Sequence, residues 1–530
     1  MLFLFFFHLF VAADPCRLVA QERVVRYQEA MACYSSFKLS EEIRDSTMDA
    51  LRKTLPLVSM DGGVVTLLGA ELEVVKNETF GSEFAFHMRL VDVFSKQKMT
   101  YDAGCFSSFH FHLPVELVIV EEEGLFVVRV SSVLSGSPTL AKYWRFLRIN
   151  PSTFQARRVV RINQTDALEY LKGYYGLDMN RAVAHTFLQS GSPTIDPGIF
   201  SKRTTAPTED TIVLEFEDGR KHVFPFLAVA PPGFNDSASF YTNLCLANKE
   251  TKRHKAEQKE PITLVQLTKT KAVLALSSLD ASAQWEESIT QALLYINKGQ
   301  VDEVILDLRG SSGNHVCGSY HLIDHFKPQK SKVNFPIFLP NSTIIQKLTA
   351  ACAFHGLRCR KKPSFVNEMK CKPSSIKNLN PKPPKVRILT NGICTGACAI
   401  LIHGLVQAGV PGIYFLGAPN LRTPFGKIGT PYSHRQLRVD LSHAKLESEP
   451  DAPPQFLTQA NLHFTLGATY RPHHTHLELL DHILPGKVVQ ISDSEPFLFN
   501  SLDVWNYILD INMAPENQFL SLNNISTPTP

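Results

Sequence analysis

The sequence predicts a multi-domain α/β protein with a helical N-terminal region, a smaller α+β unit and an α/β core built on a largely parallel sheet. Three observations support this prediction. The 530 residues exceed what a single hydrophobic core usually organises. Apolar residues recur at helical spacing in the first hundred positions, and short strand-like runs follow from residue 109. After residue 261, apolar strands alternate with amphipathic helices, which is typical of a parallel sheet.

Individual elements follow from the same patterns. The predicted helices cover 22–55, 80–94, 166–174, 285–297 and 397–408. The predicted strands cover 109–113, 115–120, 125–133, 159–163, 264–276, 303–308, 386–390 and 412–417. Ligands of such sheets bind at the carboxyl ends of the strands. The loops 309–314 and 391–396 both follow strands and are therefore the candidate site.

The first 13 residues are an apolar run that ends in small residues, with Val11 and Ala13 placed as in a signal-peptidase site. Cleavage would leave Asp14 as the mature N-terminus and no membrane span; an uncleaved anchor is the alternative. The predicted units are a signal peptide 1–13, a helical region 14–105, an α+β unit 106–246, a charged linker 247–260, an α/β core 261–512 with a basic insertion 327–385, and a disordered tail 513–530.

Two further features agree with export, and together they predict a secreted, extracellular protein. All ten cysteines lie beyond the apolar start, and an even number in an exported chain indicates disulfides, whose pairing the spacing leaves open. Five Asn-X-Ser/Thr sequons are candidate glycosylation sites, although several occur by chance in a chain of this length. They begin at Asn77, Asn163, Asn235, Asn341 and Asn524.

The net charge of +4 conceals a basic segment. Residues 327–385 hold thirteen Lys or Arg against the single acid Glu368. Such a segment can bind an anionic surface, and the alternative is a solvated loop pinned by disulfides. Because no base-stacking aromatic pattern accompanies the charge, nucleic acid is not an expected partner. The sequence indicates no cofactor.

The first candidate site segment is Asp307-Leu-Arg-Gly-Ser-Ser-Gly-Asn314, which follows a strand predicted to be buried. Glycines there allow backbone N–H groups to turn toward a substrate oxygen, as an oxyanion hole requires. Gly310 and Ser311 are the predicted donors. The alternative is a tight turn that only ends a core strand.

Two more segments lie downstream. Residues 389–401 have the pattern of a strand, a sharp turn of small residues and a helix, which exposes one side chain at a helix N-terminus where negative charge is favoured. Residues 423–429 place Lys427 in a loop flanked by glycines.

Together these segments resemble the C-terminal-processing (tail-specific) serine peptidase family, in particular its secreted branch that is similar to the chlamydial protease-like activity factor. The resemblance covers most of residues 16–510. It implies that the unit 106–246 is PDZ-like, that the core 261–512 is a tail-specific-protease-like α/β domain, and that residues 476–505 form the family's C-terminal segment. The expected activity of such a family is proteolysis.

The catalytic positions that the resemblance implies are degenerate. Gly396 stands where the family has its nucleophilic serine, and Met99 stands where this branch has a histidine base. Lys427 is the remaining residue of the plausible machinery. Removing the nucleophile or base of a peptidase costs on the order of 10⁶ in turnover.

Several residues are candidates to replace the lost chemistry. Thr395 adjoins the lost position, and a deprotonated lysine such as Lys427 can activate a hydroxyl. Cys394 and Cys398 are candidate thiols, but disulfide bonding is the favoured interpretation for an exported chain. His110 and His112 share one strand face and are more simply surface residues. The cluster of His473, His474, His476 and His482 lacks a carboxylate pattern, so no metal site is predicted.

The leading hypothesis is a secreted pseudoprotease that binds peptide or unfolded protein through a retained peptidase fold. The second hypothesis is an active peptidase that uses Thr395 with Lys427. The third is an adhesion protein that binds anionic surfaces through residues 327–385.

Overall fold

The computed structural model describes the larger part of the chain, and every structural statement below concerns these residues: 14–58, 62–96, 99–122, 125–133, 138–175, 202–203, 205–246, 262–279, 283–298, 301–311, 313, 315–327, 337–338, 342–350, 357–358, 370–371, 384–390, 394, 396–410, 413–416, 429–472, 477–479, 488–491, 501–509 and 519–520. Within them, every helix is too short or too polar to cross a bilayer.

Helices dominate the first hundred residues and then alternate with strands. They are α1 (Pro15–Glu22), α2 (Tyr27–Ser35), α3 (Glu41–Thr54), α4 (Gly62–Asn77), α5 (Glu83–Lys96), α6 (Pro138–Phe146), α7 (Ala167–Tyr175), α8 (Ser237–Phe240), α9 (Ala283–Lys298), α10 (Val316–Phe326), α11 (Thr343–Ala350), α12 (Ala397–Gln407), α13 (His434–Ala444) and α14 (Ser501–Ile508). Serine side chains cap two of these helices: the hydroxyl oxygens of Ser40 and Ser433 accept backbone N–H bonds at the starts of α3 and α13.

Strands are numbered in chain order. They are β1 (Val24–Arg26), β2 (Thr100–Asp102), β3 (His110–His112), β4 (Val115–Glu122), β5 (Leu125–Val133), β6 (Arg158–Ile162), β7 (Thr165–Asp166), β8 (Lys202–Arg203), β9 (Thr211–Phe216), β10 (Lys221–Pro225), β11 (Leu227–Val229), β12 (Ile262–Gln266), β13 (Lys271–Leu276), β14 (Glu303–Asp307), β15 (Ile337–Phe338), β16 (Leu357–Arg358), β17 (Lys370–Cys371), β18 (Lys385–Thr390), β19 (Ile413–Leu416), β20 (Gly429–Ser433), β21 (Asn461–Pro472), β22 (Leu477–Leu479), β23 (Val488–Ile491) and β24 (Phe519–Leu520).

The C-terminal half contains the predicted parallel sheet. Its strand order is β23-β19-β18-β14-β13-β12-β24, and the pairs from β13 to β23 are all parallel. Alternate residues of β14 face opposite sides: Val304 and Leu306 pack with helices α9, α10 and α12, whereas Ile305 packs with α14. Both faces of the sheet are covered by helix, which explains why its strands are continuous apolar runs. The predicted α/β class is confirmed.

The N-terminal half packs around a second core. Its strands form a four-stranded sheet of order β1-β11-β3-β8 and a larger antiparallel sheet of order β10-β9-β6-β5-β4. Buried side chains of helices α1 to α5 belong to the same hydrophobic cluster as those of both sheets. Disulfides Cys16–Cys33 and Cys105–Cys245 lie within this core. The predicted boundary between units 14–105 and 106–246 stays a prediction.

One predicted strand differs from the structure. Residues 264–276, predicted as one strand, form an antiparallel hairpin of β12 and β13. The hydroxyl of Thr268 accepts the N–H groups of Thr270 and Lys271, which gives this turn its shape without glycine or proline. Within the segment 513–530, which is predicted to be a disordered tail, Phe519–Leu520 pair with β12; the other residues of the segment lie outside the described ones, so that prediction stays a prediction.

His434, whose ring packs against Phe456 of the N-terminal core, makes the stability of the protein depend on pH. Burial, together with the nearby Arg438 guanidinium, lowers the pKa of His434 to about 4, against an ordinary 6.5, although a bond with the Pro454 backbone opposes the shift. The fold therefore favours the neutral ring, while the unfolded chain takes up a proton below pH 6.5. We expect stability that is complete above pH 6.5 and declines by on the order of 3 kcal/mol as the pH falls toward 4.

This expectation can be measured by urea unfolding at a series of pH values from 7 to 4. A His434→Phe variant should lose this part of the slope, because phenylalanine does not titrate. His443→Gln is the matched control, since His443 lies exposed on the same helix. Equal slopes for wild type and His434→Phe would contradict the assignment.

Candidate functional site

The two predicted loops lie side by side at the carboxyl ends of neighbouring strands. Asp307, the last residue of β14, is in register with Leu389 of β18. Beyond the strands, Ser311 and Cys394 form an isolated parallel bridge that extends the pairing into the loops. The structure therefore brings the segment around Gly310 next to the turn around Gly396, as the sequence predicts for adjacent parallel strands.

Asp307 and Arg309 form a buried ion pair rather than open site groups. The Arg309 Nη2 and Nε atoms donate to the Asp307 carboxylate at 2.6 and 2.9 Å, and Arg309 is 2% exposed. The Trp505 indole N–H donates to the same carboxylate at 2.9 Å, and Arg309 also donates to the Ser501 hydroxyl at 3.0 Å. This pair thus attaches helix α14 to the end of the central strand.

The first loop turns sharply at Gly310, whose φ is +66°. The Ser311 N–H, predicted as an oxyanion donor, donates to Leu308 O at 3.2 Å within the turn. The Ser311 side chain is completely buried, and its Oγ has no hydrogen-bond partner. A Cβ on Gly313 would lie 2.3 Å from the Leu279 backbone, so this position accommodates only glycine.

The second loop leads into helix α12 through Gly396. Its φ of 61° and ψ of −122° are unfavourable for any residue with a side chain. A sharp strand-to-helix turn of this kind is the place at which the sequence analysis expects the nucleophile position. The first loop fixes the start of the helix, since Ala397 N donates to Gly313 O at 2.8 Å and the Ser319 hydroxyl donates to Ala397 O at 2.6 Å.

A disulfide between Cys394 and Cys398 spans this turn. Both residues are completely buried. Disulfide bonding of these cysteines was the favoured interpretation, but their pairing with each other was not predicted. The bond leaves neither residue with a free thiol. Cys317, on helix α10, is also disulfide-bonded.

The remaining predicted site residues lie elsewhere or outside the described part of the chain. Met99 is 6% exposed and packs in the N-terminal core, whereas Ala397 and Cys398 pack in the cluster of the parallel sheet. Thr395 and Lys427 are outside the described residues, so their roles stay predictions. The histidines of the predicted cluster at 473–482 are outside as well.

His110 and His112 lie on β3 with ring centroids 6.5 Å apart. The buried Phe111 between them belongs to the N-terminal core. Within the described residues, no group of three or more His, Cys, Asp or Glu side chains is arranged to hold a metal ion.

Among the sequons, Asn77 and Asn235 are exposed. Asn163 lies in a turn in which its Oδ1 accepts the Val213 N–H at 2.8 Å and its Nδ2 donates to Glu209. Asn341 and Asn524 lie outside the described residues.

Sequence reasoning missed the groups that join the two loops to other elements. Trp505 contacts Asp307 across 198 residues of sequence, a separation at which no local pattern gives a signal. Gly313 lies inside the predicted loop 309–314, and Ser319 could have been suspected as a small residue close to that loop.

Gly396→Ala is expected to lower the free energy of unfolding by about 1–3 kcal/mol, because alanine is strained at the backbone angles of this turn. Urea denaturation measures the change. Gly69→Ala is the control: a Cβ there would have no atom within 4 Å, and the position lies in the interior of α4. That variant should gain roughly 0.5–1 kcal/mol. A stability gain for Gly396→Ala would disprove the strained geometry.

No protein-family model matches the sequence, and no curated protein matches it. The structure is similar to solved structures of proteases at low sequence identity. One is mature CPAF, with a TM-score of 0.48, 9% identity, and coverage of 92% of this chain and 99% of that chain. Another is mature CPAF complexed with lactacystin, with a TM-score of 0.47, 10% identity, and coverage of 88% and 98%. A third is the photosystem II D1 C-terminal processing protease, with a TM-score of 0.32, 10% identity, and coverage of 86% and 94%.

Structures of the tail-specific protease family are thus among the structural neighbours of this chain. That is the family which its site segments resemble. With identities near 10% and TM-scores below 0.5, the neighbours contribute nothing here about activity, substrate or partner.

Proposed function

We propose that this chain is a secreted pseudoprotease that keeps a peptidase-like fold as a peptide- or protein-binding module. The observation that carries the proposal is Gly396. It stands at the sharp turn before α12 and has no side chain to attack a carbonyl. The implied base position holds Met99, a buried thioether that accepts hydrogen bonds only weakly.

An active peptidase has fewer candidate catalytic residues among the described residues than the sequence alone suggests. The Cys394–Cys398 disulfide leaves no thiolate at the turn. Asp307 and Arg309 are committed to each other and to α14. An active peptidase would therefore depend on Thr395 with Lys427.

The binding role rests on backbone geometry. Ligands of parallel sheets bind at the carboxyl ends of the strands, where the loops of β14 and β18 lie together here. Extended peptides also add to exposed sheet edges. Strand β10 is an edge of the larger antiparallel sheet, and its Val223 is 52% exposed. Lys221 and Pro225 at its ends limit such pairing to a short segment.

Secretion is supported by the apolar segment 1–13 and by the disulfides, which persist in oxidising compartments. Exposed Asn77 and Asn235 are then the sequons best placed to carry glycans. An anionic surface remains a second proposed partner through residues 327–385.

The decisive test exposes the secreted protein to reduced, unfolded protein substrates and to a serine-reactive fluorophosphonate probe. We expect neither cleavage nor labelling. Cleavage that disappears in Thr395→Ala or Lys427→Ala would establish an active peptidase instead. We also expect Gly396→Ser to remain unlabelled, because the implied base position would still hold Met99.

The adhesion alternative needs a separate measurement. Salt-dependent retention on a heparin-like polymer that is lost when residues 327–385 are deleted would favour it. Retention that survives the deletion would count against that segment as the binding surface.

A further inference from the structure

Helix α6 presents a basic and aromatic face to solvent. Lys142, Arg145 and Phe146 are exposed, and because they stand three and four positions apart they share one side of the helix. Trp144 lies on the opposite side, where it is 2% exposed and packs in a small buried cluster with Leu227 of β11. The packing of Trp144 thus fixes which side of α6 faces outward.

Arg148 places a third exposed cation directly after the helix. The helix ends in a Schellman motif, in which the Arg148 N–H donates to Arg145 O at 3.0 Å. In the same motif the Ile149 N–H donates to Trp144 O at 3.0 Å. The φ of Arg148 is +57°, at the position where glycine is the usual residue. The left-handed backbone disfavours arginine, although a cation near the last carbonyls is mildly favoured, so local folding gives no strong reason for this residue.

The cations of this face lack counter-charges. The stretch 124–165 holds seven Lys or Arg and no Asp or Glu. The two arginines of β6 reach carboxylates of strand β9 and of the turn after it, at 3.1 and 3.7 Å. By contrast, Lys142, Arg145 and Arg148 form no ion pair with any carboxylate in the described part of the chain. Positive charge that the protein itself does not neutralise attracts an anionic partner.

An exposed aromatic ring accompanies these charges. Phe146 is 72% exposed, more than any other large hydrophobic side chain in the described part of the chain. Exposure of a phenyl ring to water is unfavourable, and an ionic polymer would be bound by the cations alone. A lipid bilayer offers both anionic headgroups and an apolar boundary beneath them. The combination of cations and an exposed ring therefore favours a lipid surface over an ionic polymer.

We propose that α6 binds the surface of a bilayer that contains anionic lipid. Lys142, Arg145 and Arg148 contact the headgroup phosphates, and the Phe146 ring enters the boundary between headgroups and acyl chains. Three cations and one ring give reversible attachment rather than a permanent anchor. The surface includes no residue of the site loops and none of the basic segment 327–385, so the inference does not depend on the proposed peptide-binding function.

The test measures sedimentation of the full secreted chain with vesicles of phosphatidylcholine, prepared with or without phosphatidylserine. We expect binding to the vesicles that contain phosphatidylserine and little binding to the others. Added salt should weaken the binding, because it screens the attraction between the exposed cations and the headgroups.

The variant Lys142→Gln/Arg145→Gln/Arg148→Gln should bind on the order of 100-fold more weakly, since each cation near an anionic surface contributes about fivefold. Its matched control replaces three exposed lysines elsewhere with glutamine and removes the same net charge. These are Lys38, Lys269 and Lys298. All six positions are exposed, so both variants should fold, which unfolding curves check.

Phe146→Ala separates a lipid surface from an ionic polymer. It should weaken vesicle binding by about tenfold, because the ring no longer enters the apolar boundary. Its retention on a heparin-like polymer should stay unchanged. Val439→Ala is the matched control, because Val439 is also exposed, at 41%, and lies on α13.

Each outcome decides. Equal binding to both kinds of vesicle, or binding to neither, overturns the lipid surface. Binding that survives the triple glutamine variant and is lost on deletion of residues 327–385 assigns the attraction to that segment and overturns the role of α6. Vesicle binding that falls in the triple variant but is unchanged in Phe146→Ala shows a purely ionic surface and overturns the choice of lipid.

Discussion

Asp307→Ala is expected to lower the free energy of unfolding by about 3–5 kcal/mol, because it leaves a buried charge without its partner. Arg309 is 2% exposed and has no other described carboxylate within bonding distance. The Trp505 indole would also lose its acceptor. The loss should therefore extend to the packing of α14 against the sheet. Urea unfolding would measure the loss of stability, and the change in tryptophan fluorescence that disappears in a Trp505→Phe background would report on the α14 contact, since the chain has three tryptophans.

Two comparisons make this result specific. Asp324→Ala removes a solvent-exposed partner of Lys327 at 2.6 Å and should cost less than about 1 kcal/mol. The double variant Asp307→Leu with Arg309→Met removes both charges and should recover much of the loss, because apolar pairs often replace buried ion pairs at little cost. If Asp307→Ala costs no more than Asp324→Ala, the pair does not hold the loop.

The Asp-Leu-Arg-Gly segment thus has a structural role that its sequence did not predict. The strand before it could be predicted, because a fully buried strand is a continuous apolar run. The function of its polar residues could not, because it depends on Ser501 and Trp505, which are nearly two hundred positions away. A glycine-rich turn after a core strand predicts a functional site. Here, two polar residues of that segment, Asp307 and Arg309, instead attach helix α14.

The turn before α12 was more accessible to sequence reasoning. Its strand, glycine and helix are contiguous, so the turn itself followed from local pattern, whereas the assignment of Gly396 to the nucleophile position came from the resemblance and stays a prediction. The Cys394–Cys398 pairing was not evident, because ten cysteines permit many pairings and spacing does not choose among them. The hairpin of β12 and β13 was missed for a local reason, since its turn uses Thr268 where glycine or proline is the usual signal.

Short strands were the other limit. Strands β1 and β11 have three residues each, too few for a period-two pattern to emerge, whereas β3 lies inside the predicted strand 109–113. The four-stranded sheet that they help to form exists because distant segments bury it, with Phe111 and Ala228 inside the N-terminal core. Such strands are determined by tertiary packing rather than by propensity.

Removal of the Cys105–Cys245 disulfide by a double alanine substitution is expected to be the most destabilising change among the disulfides with known partners. The bond joins residues 140 positions apart, and loop-closure entropy for such a separation corresponds to about 5 kcal/mol. Both sulfurs lie in the N-terminal core, at 3% and 0% exposure, so the substitution also removes buried volume. The measurement is urea unfolding of Cys105→Ala/Cys245→Ala against the wild type.

Cys394→Ala/Cys398→Ala is the matched comparison, because it removes an equally buried disulfide that spans only 4 positions. The same entropy argument gives about 2 kcal/mol there. If removal of the short disulfide cost more stability than removal of the long one, loop-closure entropy would not be its main contribution to stability. Strain at Gly396 would then have to account for the larger loss. The expected order instead assigns the two bonds different roles. The long bond stabilises the N-terminal core, and the short one fixes the shape of the turn that begins α12.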